Sequence, residues 1–385
     1  MPTPARPDDG AVRAALAGVE EPRLRRSVVE LGMVQGVAID GGTVVIAIAE
    51  PLEEGDSWAE LVRRVEAAVG ALGDVERVEV DLRDMTDAEQ TSVARILKGE
   101  APADPLAVID ASASAAPRPR VNPFTDARTR VLAIASGKGG VGKSSVTTNL
   151  SIALAQRGRD VAVVDADVWG FSLPRMLGVS EPPAIIDDVL VPPEAHGVRV
   201  ISMGFFTGED QAVVWRGPML HKALEQFLTD VHWGEPDYLL VDLPPGTGDV
   251  SLSIAQFLPR AEVIVVTTPQ PAAQKVAQRA AAMADKVELD VVGVVENMSW
   301  FRGDDGTRYE LFGAGGGREL ADQIGVPLLG QVPLVPALRE GGDEGAPIVV
   351  TAPDDEAARV FRDIAEQLDA AIRPRRVGHP ELRIS

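Results

Sequence analysis

The sequence predicts an α/β chain: a doubly wound, mostly parallel sheet preceded by a small α+β domain. Three observations predict it. From residue 131 onward, short and nearly continuous apolar runs alternate with helical patterns, as strands do in a parallel sheet covered by helices on both faces. One of these runs feeds a glycine-rich loop that opens at once into a helical pattern. An Ala/Pro-rich stretch without sustained period, residues 101–128, separates this region from a smaller mixed one in front of it.

In the front domain, residues 1–100, positions 11–18 carry a helical pattern and 27–31 lead toward a strand. Residues 37–39 and 43–49 flank Asp40-Gly41-Gly42 and read as a hairpin. Residues 58–72 set Leu61, Val65, Ala68, Val69 and Leu72 on one helical face, and 75–82 alternate as an edge or half-buried strand. In the second domain, residues 129–373, strands are expected at 131–135, 160–164, 198–203, 238–241, 263–267, 291–295 and 328–332. A helix over 355–372 closes it, and residues 374–385 read as a mobile tail.

Composition narrows the function classes. A chain of 385 residues with 45% apolar and 25% charged content has the make-up of a soluble globular protein with room for two domains. A formal net charge of -21 argues against general nucleic-acid binding, which draws on a basic excess. No apolar run reaches bilayer-spanning length, and residues 1–9 lack the basic-then-apolar form of a signal peptide, so a cytoplasmic protein is expected. The cysteine count is 0, which removes disulfides, thiolate zinc sites and cysteine nucleophiles.

The chemistry starts at Gly137-Lys138-Gly139-Gly140-Val141-Gly142-Lys143-Ser144, which fits the phosphate-loop pattern. A loop wrapped around a polyphosphate must bring backbone N–H groups close to its oxygens, and glycines permit that approach. Lys143 is placed to reach the β/γ-phosphates, and the Ser144 hydroxyl to ligate Mg²⁺. A strand at 130–135 runs into the loop, and a helix from Ser145 to Arg157 leaves it, so Gly137 through Ser145 form the expected nucleotide contacts. Asp242, ending an apolar strand, is a Walker-B-like carboxylate acting on Mg²⁺ directly or through water. Gly246 in the following Pro-Pro-Gly loop is placed to offer its N–H to the γ-phosphate. Asn297 offers a donor and an acceptor suited to a purine edge, and Pro333, expected in a following loop, would flank the ring.

Lys138, one residue after the first glycine, resembles the signature lysine of the MinD/ParA/nitrogenase-iron-protein class of deviant phosphate loops. That resemblance implies a homodimer in which Lys138 contacts nucleotide across the interface. It also implies that Asp167 positions the attacking water, with Asp165 supporting its loop.

The series Asp165-Ala166-Asp167-Val168-Trp169-Gly170, Trp215-Arg216-Gly217-Pro218-Met219, Asp242-Leu243-Pro244-Pro245-Gly246-Thr247-Gly248-Asp249 and Glu296-Asn297-Met298-Ser299 follows the loop in order. It resembles the Mrp/ApbC family of ATPases, iron–sulfur cluster carriers. Residues 27–34 resemble the small domain fused to bacterial members and shared with other iron–sulfur assembly factors. The resemblance implies ATP and Mg²⁺ as cofactors, and iron–sulfur apoproteins or assembly factors as partners. One departure is sharp. Family carriers hold their cluster on a Cys-x-x-Cys pair shortly after Glu-Asn-Met-Ser, and residues 300–309 here contain none. The small domain's usual Cys-Pro is replaced by Ser57-Trp58, and His196, His221, His232 and His379 form no ligand-spaced motif. Cluster carriage by this chain's own thiols is therefore excluded.

The alternative function is a metal-free, nucleotide-dependent switch that loads or releases a protein partner, as MinD- and ParA-like proteins do. A MinD-type membrane anchor does not fit, because the 355–372 helix carries Asp355, Glu356, Asp363, Glu366 and Asp369, where an anionic membrane wants a basic face. A metabolic kinase lacks an acceptor-site signature.

Overall fold

The computed structural model describes residues 8–52, 56–99, 122–125, 128–167, 170–206, 217–246 and 249–371. The expected tail, most of the expected linker, and Val168, Trp169, Trp215, Arg216, Thr247 and Gly248 lie outside the described residues. The chain forms two compact units.

The first unit comprises Met1–Arg120 together with Pro182–Pro193 and Asp230–Gly234. Helix α1 (Asp9–Leu16) begins where the Asp8 carboxylate accepts from the Ala11 N–H. Strands β1 (Val34–Asp40) and β2 (Thr43–Glu50) pair antiparallel around the predicted glycine turn. Helix α2 (Asp56–Gly70) then carries the chain back so that β3 (Arg77–Asp84) pairs parallel to β2, the crossover that a parallel neighbour requires. The apolar face of α2, Leu61, Val65 and Val69, is fully buried with Val44, Ile46 and Ile48 of β2. Helix α3 (Asp87–Leu97) was not anticipated. Its start is a capping box, in which Thr86 and Glu89 satisfy each other's backbone N–H groups.

The second unit opens with β4 (Arg130–Ser136), α4 (Lys143–Gln156), β5 (Val161–Asp165) and α5 (Leu173–Leu177). The chain then contributes the hairpin β6 (Ala184–Ile186) and β7 (Val189–Val191) to the first unit, whose core takes in Ile186, Val189 and Val191. It continues through β8 (Glu194–Ala195), β9 (Val198–Ser202), α6 (Gly217–Thr229), β10 (Tyr238–Asp242), α7 (Asp249–Phe257), β11 (Glu262–Thr267), α8 (Pro271–Lys286) and β12 (Asp290–Arg302). The last elements are β13 (Arg308–Tyr309), α9 (Gly316–Ile324), β14 (Leu328–Leu334), α10 (Pro336–Glu344), α11 (Ile348–Thr351) and α12 (Glu356–Ala370).

Among the described residues the main sheet has nine strands in the order β13-β12-β11-β4-β10-β5-β9-β8, with β14 beside β12. The inner strands are parallel, and β8 and β13 pair antiparallel at the edges. This is the doubly wound sheet expected from the apolar runs. Progress along the sheet reverses at β4, with β10 and β5 on one side and β11 and β12 on the other. Ligands bind beyond the carboxyl ends of the strands at such a switch point, which is where the glycine loop lies. Strand β12 runs well past the expected 291–295, through a left-handed Met298 (φ 58), into a hairpin with β13.

Candidate nucleotide site

The loop after β4 curves tightly because two of its glycines leave no room for a side chain. A Cβ on Gly137 would lie 2.3 Å from the Val276 carbonyl carbon of α8. Gly142 combines φ +79 with a Cβ position 2.2 Å from the Asn297 amide nitrogen. Gly142 is also the N-cap of α4 and supplies no capping side chain, so the helix begins with backbone N–H groups open to an anionic ligand.

Register brings the acidic groups to the same place. Asp242 of β10 pairs with both Ile134 of β4 and Asp165 of β5. The Lys143 ammonium lies 2.6 Å from Asp242 Oδ2 and 3.6 Å from Asp167 Oδ2. The hydroxyls of Ser144 and Thr147 donate to the two oxygens of Asp242, each at 2.6 Å. Asp242 is fully buried, and Lys143 and Asp167 are nearly so. Asp165 anchors the next loop, accepting from the N–H groups of Asp167, Ser172 and Leu173 and from the Ser202 hydroxyl. Burial, and then the charge of Asp242 beside it, push the Asp165 carboxyl up to about 7.

The Lys138 ammonium is 3.4 Å from Gln270 Oε1, and the Ser136 hydroxyl donates to the Lys138 carbonyl. Gly139 and Gly140 are exposed at the loop's crest, Val141 is buried beneath them, and Ser145 stands in the first turn of α4. The Gly246 N–H, expected to face the γ-phosphate, donates to the Ser136 carbonyl at 2.9 Å. Asn297 donates from Nδ2 to the Val141 carbonyl at 2.9 Å. Pro333, expected in a loop, is buried within β14, so no loop presents it to a base at that position. Thr147 and Ser202 were missed. Thr147 lies one helical turn beyond Lys143, so helical spacing alone could have pointed to it.

Oxygen donors and an ammonium suit a polyphosphate with a hard divalent cation, and Ser144 with Asp242 are the residues that would hold Mg²⁺. With 0 cysteines the chain has no thiolate of its own to offer iron. The stretch from Trp300 to Tyr309 is a closed hairpin in which Asp305 caps the Thr307 N–H. Arg302 and Arg308 both bond Glu356 of α12 at 2.9 and 2.7 Å, and the Arg308 guanidinium lies over the Trp300 ring. Among the described residues no group of three or more His, Asp or Glu side chains could hold a metal ion, and no helix is long and apolar enough to cross a membrane.

Residues 127–369 match the family described as ParA, NUBPL iron-transfer P-loop NTPase, and residues 9–82 match the iron–sulfur cluster assembly protein family. An iron–sulfur cluster carrier protein of Mycobacterium leprae is 45% identical over 369 residues, covering 94% of this chain and 92% of its own length. Its namesake in Synechocystis is 40% identical over 370 residues, covering 93% and 96%. Among solved structures, the nucleotide-binding protein of Archaeoglobus fulgidus in complex with ADP superposes with a TM-score of 0.52 at 34% identity, covering 60% of this chain and 91% of that one. The chain belongs to the family of ParA-type, NUBPL iron-transfer P-loop NTPases, with an iron–sulfur cluster assembly domain in front.

Proposed function

We propose that the protein binds and hydrolyses MgATP and couples the cycle to the transfer of iron–sulfur clusters between other proteins. The observation that carries the reading is the convergence of Lys143, Ser144 and Thr147 on the buried Asp242, with Asp167 beside the same ammonium and the open N-terminus of α4 above. Phosphoanhydride hydrolysis needs charge balance and an oriented water more than covalent chemistry. A polyphosphate entering the loop would compete with Asp242 for Lys143, freeing that carboxylate to face Mg²⁺ with Ser144. Asp167 would hold the attacking water, and Asp165 would relay the change to the loop it anchors. Gly246 would exchange the Ser136 carbonyl for the γ-phosphate, which makes its loop a sensor of ATP against ADP. Lys138, half-buried at the loop's edge, would complete the site of a second copy in a homodimer.

The clusters are cargo in this reading. With 0 cysteines in the chain, they would remain on the thiolates of donor and acceptor proteins. The same absence favours, as a second reading, a switch that handles protein partners without metal. The test of hydrolysis is the Asp167→Ala variant: ATP binding is expected to persist while turnover falls on the order of a hundredfold. Unchanged turnover would remove Asp167 from the mechanism.

A further inference from the structure

Asn297 is only 2% exposed, and both kinds of polar atom in its amide are used inside the protein. Nδ2 donates to the Val141 carbonyl at 2.9 Å, and Oδ1 accepts from the Met298 N–H at 3.0 Å. The two bonds define the amide's orientation, because the flipped amide would set oxygen against a carbonyl and nitrogen against an N–H. Val141 is itself 2% exposed, so its carbonyl has little access to water and needs this donor. On the other side of the same amide nitrogen sits Gly142, whose left-handed backbone leaves room for Asn297 only because it has no Cβ. The strand cooperates. Met298 takes the left-handed conformation (φ 58), unusual for a residue with a side chain, and the pairing of β12 with β14 shifts register between Asn297 and Phe301.

We infer that Asn297 is a positioning residue for the phosphate loop. It holds Val141 and Gly142 in the curve that aims their neighbours' N–H groups at a polyphosphate. The inference rests on the reading of this loop as an ATP site. Its consequence is specific: Asn297 contributes to affinity for any polyphosphate, whatever base is attached.

The test compares ATP, GTP and inorganic triphosphate binding to the full chain by calorimetry, in wild type and in Asn297→Asp, which keeps the acceptor for Met298 and loses the donor to Val141. All three ligands are expected to weaken by a similar factor, about tenfold, with KM for ATP rising more than kcat falls. An unchanged triphosphate affinity beside a weakened ATP affinity, or a shifted ATP-to-GTP ratio, would overturn the inference in favour of base reading. A wild-type chain that binds none of the three would instead overturn the ATP reading, and with it the basis of this one. If Asn297→Asp does not fold by circular dichroism, a double-mutant cycle takes its place. Gly142→Ala should harm triphosphate binding less in an Asn297→Ser background, where the clash with the amide is gone, than in wild type. Additive losses would overturn the positioning role.

Discussion

Thr147 has a hydroxyl 2.6 Å from Asp242 Oδ1, deep enough that no water can replace it. Thr147→Val keeps the shape and removes the donor, leaving a buried carboxylate oxygen short of a partner. A loss of about 1–3 kcal/mol in urea unfolding is expected, together with a higher Mg²⁺ requirement for turnover because the metal-side carboxylate is less fixed. An unchanged denaturation midpoint would show that the hydroxyl is dispensable. In the small domain, Glu50 ends β2 almost fully buried, and burial followed by the charge of Glu21 pushes its carboxyl up to about 9. Glu21 is raised too, chiefly by burial. A raised carboxyl stabilises the fold fully below its unfolded value and loses that contribution as pH climbs through the folded one. Wild type should therefore lose stability relative to Glu50→Gln between pH 4.5 and about 9, by an amount on the order of a few kcal/mol. Thermal melts of both proteins across that range check it, and parallel curves would contradict the burial argument.

Among the elements, the strand–loop–helix unit carries the site, and its packing is unforgiving at one point. Gly137→Ala would drive a methyl group into the α8 backbone at Val276 and Ala277, which cannot yield as a flexible side chain would. Weakened nucleotide binding and a destabilisation of about 1–3 kcal/mol are expected, measured by ligand-dependent melting; a wild-type profile would mean that the loop can shift without cost. This unit was legible because each of its parts has a local signature: a buried apolar run, glycines at fixed offsets, then helical spacing. Asp242 was legible for the same reason, as an acid ending an apolar strand. The parts that were not legible depend on partners distant in sequence. The bond from the Asn297 amide to the Val141 carbonyl was not legible, because nothing local in the sequence shows it. Pro333 looked like a loop residue because proline disfavours central strands, whereas β14, which among the described residues pairs only with β12, tolerates it. Helix α3 was missed although Thr86 and Glu89 stand at capping-box spacing, since its apolar positions are few. The hairpin β6–β7 escaped notice because its short strands become a core only against residues of the first unit.

At the scale of the whole molecule, two family matches cover most of the chain, and the Cys-x-x-Cys pair that the resemblance to cluster carriers implies is absent from the sequence. The hairpin from Trp300 to Tyr309 is fastened by Arg302, Arg308 and Glu356, ionic and aromatic contacts that offer iron no thiolate. In the proposed nucleotide site, Lys143 and Ser144 at the end of the glycine loop converge on Asp242. On the function proposed above, such a protein would turn over ATP while its cargo stays on other chains. The most direct measurement is anaerobic incubation of the purified, ATP-hydrolysing chain with iron and sulfide, followed by iron quantitation and visible absorbance. The account predicts active hydrolysis with no stoichiometric iron and no sulfide-to-iron charge-transfer bands. Stoichiometric iron with those bands would contradict it, because a cluster would then be held by this chain without a single cysteine.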